Sequence, residues 1–172
     1  PFQFSCHILD KDGNLTHPEF LHDDETDPRE PLLKALMEAI GSSGSIIAYN
    51  AGFEKRILND LARWFPQYKE LLFQWTLRFW DQLVIFRKYY SDYHFKGSNS
   101  IKSVLPVIVP SMSYSGLAVP DGTAAQITWN EMIRLPDGPE KQTLYNNLLQ
   151  YCGQDTLAMV KIHELLQASQ RK

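Results

Sequence analysis

Phe2, Phe4, Cys6 and Ile8 alternate with Gln3, Ser5 and His7, the period of two that belongs to a strand with one buried face. Asp12-Gly13-Asn14 supplies turn residues, and Thr16 to Leu21 returns as a second strand on which Pro18 marks an edge. The opening segment therefore predicts a hairpin. Further on, Asp27-Pro28-Arg29-Glu30 sets an N-cap, a first-turn proline and a capping-box glutamate before Leu32, Leu33, Leu36, Met37 and Ile40. A helix follows, stopped near Gly41. Ser45 to Tyr49 is apolar and too short for a helix, so it predicts a buried strand ended by Asn50-Ala51-Gly52. Phe53, Ile57, Leu58, Leu61 and Trp64/Phe65 then keep helical spacing as far as Pro66.

From Gln67 to Tyr90 the pattern is mostly helical, with a break at Phe79-Trp80-Asp81 that fits one more short strand. Ser98/Asn99 cap a short helix from Ser100 to Leu105, Asp121-Gly122 starts another through Ile133, and a long one runs from Pro139 to Ala168. A hairpin, then helix, strand and helix, then a mainly helical second half, predict an α/β fold with a mixed sheet flanked by helices.

Composition sharpens this only by exclusion. The chain has 172 residues, 44% hydrophobic and 22% charged, which suits one globular domain and neither a disordered tail nor a coiled coil. The most apolar stretch, Val104–Val109, is broken by Pro106 and falls far short of the ~20 residues that span a bilayer. Cys6 and Cys152 are too few for a disulfide framework and lack metal-binding spacing, so reduced thiols in a cytoplasmic protein are expected. A net charge of −3 does not announce nucleic acid, nor does it exclude it, because the carboxylates of a metal-dependent nuclease are neutralised by cations.

Two constellations carry candidate chemistry. Asn50-Ala51-Gly52-Phe53-Glu54 stands where a buried strand turns into a helix. There a first-turn carboxylate is favoured by the helix dipole, and α/β sheets place their sites at strand carboxyl ends. The bland alternative is an Asx turn at Asn50 and a dipole-stabilising glutamate. In the final helix, Tyr151-Cys152-Gly153-Gln154-Asp155 puts Asp155 within the apolar stripe of Leu148, Cys152, Met159 and Ile162. A carboxylate there must be paired, hydrogen-bonded or metal-bound, and Tyr151 lies one turn before it on the same face. The alternative is an aspartate that caps a neighbouring loop.

Taken in this order and spacing, the two segments resemble the second motif and the tyrosine-type third motif of the DEDD superfamily of 3′-to-5′ exonucleases. Glu54 stands where most members carry aspartate. Asp81-Gln82-Leu83 and Ser98-Asn99-Ser100-Ile101-Lys102 are similar to the linking segments. The likeness runs from Phe2 to about Leu165 and is strongest to an uncharacterised bacterial branch. It implies a ribonuclease-H-like fold and phosphodiester hydrolysis by two Mg²⁺ or Mn²⁺ ions, with the 3′ end of single-stranded DNA or RNA as substrate. Glu54 and Asp155 would be metal ligands, the Tyr151 hydroxyl would orient the attacking water, and Asn50 and Phe53 would position the terminal nucleotide. The two carboxylates are expected to converge at one end of the sheet.

The superfamily's first motif, an Asp-x-Glu pair on a central strand directly before the hairpin, has no counterpart in these residues. The chain is therefore expected to be a single exonuclease-like domain over 1–172, a fragment of a longer protein with flanking domains, whose first strand is missing. The alternative is a non-catalytic ribonuclease-H-like module that binds nucleic acid or protein.

Other motifs resolve to simpler readings. Asp10-Lys11-Asp12-Gly13-Asn14-Leu15 fails as a calcium loop, because Leu15 and Leu21 stand where glycine and glutamate are needed, and it reads as a plain turn. The five histidines have no metal-ligand spacing. The aromatic run from Phe73 to Phe95, interleaved with Arg78, Arg87, Lys88 and Lys96, divides between core packing and stacking of unpaired bases.

Overall fold

The computed structural model describes residues 1–169, with side chains described as far as Ala168. The architecture is mixed α/β, dominated by helix, with three two-stranded sheets of which one is a parallel pair. The chain divides into two compact units, Pro1–Gly41 with Tyr114–Leu157, and Ser42–Ser113 with the segment from Ala158 on. No helix among the described residues is long and apolar enough to cross a membrane.

The first unit opens on the predicted hairpin. Strands β1 (Gln3–Ser5) and β4 (Glu19–Leu21) pair antiparallel, as do β2 (Ile8–Leu9) and β3 (Leu15–Thr16), in one continuous register that also sets Cys6 N–H on the Pro18 carbonyl at 2.9 Å. Asp10 closes the turn: its Oδ1 accepts the N–H groups of Asp12 and Asn14 at 2.8 and 2.9 Å, the plain Asx turn expected there. The burial pattern departs from simple alternation, since Ser5 is buried while Ile8 is exposed. The polar face is the one that the last helix covers within this unit. Gln3 Nε2 donates to the Leu148 carbonyl at 2.8 Å, and Ser5 and His7 both bond Thr156 Oγ1.

Helix α1 (Arg29–Ile40) ends at Gly41, whose φ of 59° favours a residue without Cβ. The predicted capping box does not form. Asp27 Oδ1 accepts the Arg29 N–H at 3.0 Å and holds its guanidinium, while Glu30 pairs one turn on with Lys34 at 2.8 Å. Helix α6 (Gly122–Met132) is capped as predicted by Asp121, which accepts the Ala124 N–H at 2.9 Å. Leu21, Val119, Ala125, Met132 and Leu148 form the core of this unit, against which Phe2 and Trp129 pack as a ring stack at 4.6 Å. Helix α7 (Pro139–Ser169) contributes to both units.

The second unit is built on β5 (Ile46–Ala48) and β6 (Phe79–Asp81), paired parallel. Between them run α2 (Ala51–Trp64), a single 3-10 turn at Pro66–Tyr68 and α3 (Lys69–Leu77); α4 (Leu83–Lys88), a second 3-10 turn at Tyr93–Phe95 and α5 (Ile101–Ile108) follow. Parallel neighbours need such a helical crossover. Ser100 caps α5 by accepting the Ser103 N–H. Leu58, Leu61, Leu72, Trp75, Leu83 and Phe86 are buried.

Candidate functional site

In the second unit the carboxyl ends of β5 and β6 are tied by one side chain. Asp81 Oδ1 accepts the N–H groups of Asn50 and Leu83, each at 3.0 Å. Asn50 lies in the left-handed region at φ 75° and makes no side-chain cap on α2, so the Asx turn weighed from sequence is replaced by this clip to Asp81. Left-handed backbone suits asparagine better than most residues with a Cβ. Helix α2 begins earlier than its apolar spacing predicts, at Ala51. That start turns the inward stripe through Ala51, Glu54, Leu58 and Leu61, the i, i+3, i+7 and i+10 positions of one face. Glu54 is accordingly half-buried with its Oε2 shielded from solvent, whereas Phe53 falls off the stripe, 52% exposed, under the Arg56 guanidinium at 5.2 Å.

In the first unit Tyr151 and Asp155 occupy consecutive turns of α7, both half-buried, with the Asp155 carboxylate near enough to act on the tyrosine hydroxyl. Burial, then the Asp155 carboxylate, push the Tyr151 hydroxyl above its ordinary range, so it stays protonated at neutral pH. Cys152 is pushed up to about 12 by burial and by Asp155, and Cys6 to about 11 by burial alone. Both thiols are free and are held as thiols rather than nucleophilic thiolates.

The same unit contains a polar cluster that sequence spacing did not reveal. The hairpin register sets His7 across from His17, and their rings stack at 4.0 Å. His17 Nε2 meets Ser5 Oγ at 2.7 Å, Ser5 Oγ meets Thr156 Oγ1 at 2.7 Å, and Thr156 Oγ1 meets His7 Nδ1 at 2.8 Å. Donation running along this chain of bonds in either direction, from His17 through Ser5 and Thr156 to His7 or the reverse, satisfies all three. The signal available in the sequence was the turn at Asp10–Asn14, which sets the register; the nine residues between the histidines hide the pairing.

Residues 1–100 match a family model described as Domain of unknown function (DUF2779). The chain belongs to this family. No curated protein and no solved structure matches it. The portion of the DUF2779 chain that matches holds Asn50, Phe53, Glu54 and Asp81, while Tyr151 and Asp155 lie beyond it.

The site residues thus fall into two sets, Asn50, Phe53 and Glu54 with Asp81 in the second unit and Tyr151 with Asp155 in the first. Glu54 and Asp155 each offer hard carboxylate oxygens of the kind that suits Mg²⁺ or Mn²⁺. Among the described residues no group of three or more His, Cys, Asp or Glu could hold a metal ion.

Proposed function

We propose that this chain is part of a metal-dependent 3′-to-5′ exonuclease of the DEDD type, with a ribonuclease-H-like fold, that removes nucleotides from single-stranded DNA or RNA. The observation that carries the reading is the placement of Tyr151 and Asp155 one turn apart on α7, both half-buried, with the carboxylate acting on the tyrosine hydroxyl. The resemblance assigns the hydroxyl to the attacking water and the carboxylate to a metal ion. Glu54, inward-facing on the first turn of α2, supports it from the second motif.

In this reading Glu54 and Asp155 would each serve as a metal ligand, and Mg²⁺ or Mn²⁺ would supply Lewis-acid stabilisation of the phosphoryl group and of the leaving oxygen. Tyr151, kept protonated, orients the attacking water through its hydroxyl. Asn50 is fixed by its N–H bond to Asp81 and leaves its side-chain amide to meet the terminal nucleotide, while the exposed ring of Phe53 offers a face for the terminal base.

The test uses the full-length gene product that contains these residues and a 3′-labelled single-stranded oligonucleotide in Mn²⁺. Asp155→Asn keeps size and hydrogen-bonding atoms but removes the charge that attracts a cation, so digestion from the 3′ end should collapse while circular dichroism stays unchanged. Digestion that survives this substitution would overturn the assignment.

A further inference from the structure

Between α4 and α5 the second unit presents a short segment in which rings and cations alternate, and Arg87, Lys88, Tyr89, Tyr90, Tyr93 and Lys96 are all exposed. Tyr89 and Tyr93 are 80% and 84% exposed, although a tyrosine ring buried in a core or an interface contributes more than most side chains. Weak anchoring is not the reason. Phe95, 3% exposed, packs edge-on against Phe86 at 6.0 Å, and Tyr90 closes the same cluster at 5.9 Å from Phe86. Asp92 caps the 3-10 turn by accepting the His94 N–H at 2.8 Å, and Lys96 and Gly97 end it with φ of 53° and 77°. The backbone is pinned, and from it Tyr89 and Tyr93 face water. His94, held by Asp92 at Nδ1 (2.8 Å), lies against Tyr93 with ring centroids 3.7 Å apart, so one exposed ring is further steadied by a neighbour.

The charge of the segment runs against that of the chain. Residues 87–96 contain Arg87, Lys88 and Lys96 against one acid, Asp92, which is engaged with His94, in a protein whose net charge is −3. Sequence alone divided this aromatic run between core and ligand. The structure separates them: Trp75, Phe86 and Phe95 are buried, and Tyr89 and Tyr93 are not.

We propose that residues 87–96 form a stacking platform for single-stranded nucleic acid, with bases on Tyr89 and Tyr93 and phosphates on Arg87, Lys88 and Lys96. The ligand class rests on the exonuclease reading; the surface is additional to it. Bases stack on aromatic faces without regard to sequence, and cations interleaved with them follow the backbone. A duplex, whose bases already stack on one another, would gain only the charge contribution.

Fluorescence anisotropy with fluorescein-labelled oligothymidylate and oligouridylate of about twenty nucleotides, in EDTA so that no metal-dependent hydrolysis intervenes, reads binding alone. The double variant Tyr89→Ala/Tyr93→Ala should weaken binding about tenfold or more, and phenylalanine at both positions should restore it. Replacing Arg87, Lys88 and Lys96 by glutamine should lower the slope of log affinity against log salt by about two. Circular dichroism should not change, because none of these side chains is buried. Binding by the double alanine variant equal to the wild type, no binding by the wild type, or equal affinity for the duplex of the same sequence would each overturn the platform. The two ideas fail separately. Digestion that survives Asp155→Asn in a protein whose binding needs Tyr89 and Tyr93 removes only the exonuclease; digestion lost in Asp155→Asn, with binding indifferent to the tyrosines, removes only the platform.

Discussion

Tyr151 and Asp155 divide the chemistry unequally. The carboxylate carries the charge that attracts a cation, whereas the hydroxyl only orients water, so Tyr151→Phe should slow 3′ digestion less than Asp155→Asn. Positioned proton-handling groups are commonly worth roughly 10²–10⁴-fold, and single-turnover rates of the two variants in the full-length protein give the order. His7 supplies a second residue-level prediction. Burial, then the neighbouring His17, lowers its pKa, and protonation would make Nδ1 an obligatory donor toward Thr156 Oγ1. Its folded pKa lies below the unfolded value of about 6.5, so the unfolded chain takes up the proton first and stability is lost as pH falls below that value. Thermal denaturation at about pH 7.5 and 5.5 should show a drop in Tm that is smaller in His7→Asn, whose amide oxygen can stand where Nδ1 does. An equal drop in both proteins would show that His7 is not the group responsible.

At the scale of elements, the turns after β5 and β6 depend on one carboxylate. Asp81→Ala would leave the N–H groups of Asn50 and Leu83 without their acceptor, a loss of about 1–3 kcal/mol in urea denaturation. Asp81→Asn keeps an acceptor oxygen and should lose less. Helix α7 offers the opposite case. Gly153 sits in its interior with no positive φ, and a Cβ there would meet His17 Cε1 at 3.5 Å, an ordinary contact. Gly153→Ala should therefore stabilise the protein by about 0.5–1 kcal/mol through helix propensity, seen as a higher urea midpoint. A lower midpoint would mean that the stacked histidines cannot accept even a methyl group.

For the molecule as a whole, two compact units each bury their own apolar side chains, and the two sets of site residues are shared between them. Two-metal hydrolysis calls for more carboxylate ligands than Glu54 and Asp155. Calorimetric titration of these 172 residues with Mn²⁺ should thus give weak binding, reduced in both Glu54→Gln and Asp155→Asn, and no tight pair of ions. Two tightly held ions would reveal ligands other than these.

Periodicity and end signals in the sequence determined most elements: the hairpin, α1, the strand before Asn50, the break at Phe79–Asp81 and the caps at Ser100 and Asp121 all stand within a few residues of their predicted places. Those features are local, set by alternation, proline and short polar side chains within a few residues of where they act. The spacing of Tyr151 and Asp155 likewise set them one turn apart on α7, because one helical turn is a local distance. Tertiary structure alone decided what depends on partners far along the chain. It turned the polar face of the hairpin toward α7, stacked His7 on His17, gave Asp81 the Asn50 N–H, and sent Glu54 inward while Phe53 turned outward. Hydrophobic patterning assigns a residue to a face, but which face is covered follows from the elements that pack there, and a buried polar side chain is tolerated only where such an element brings its hydrogen-bond partner.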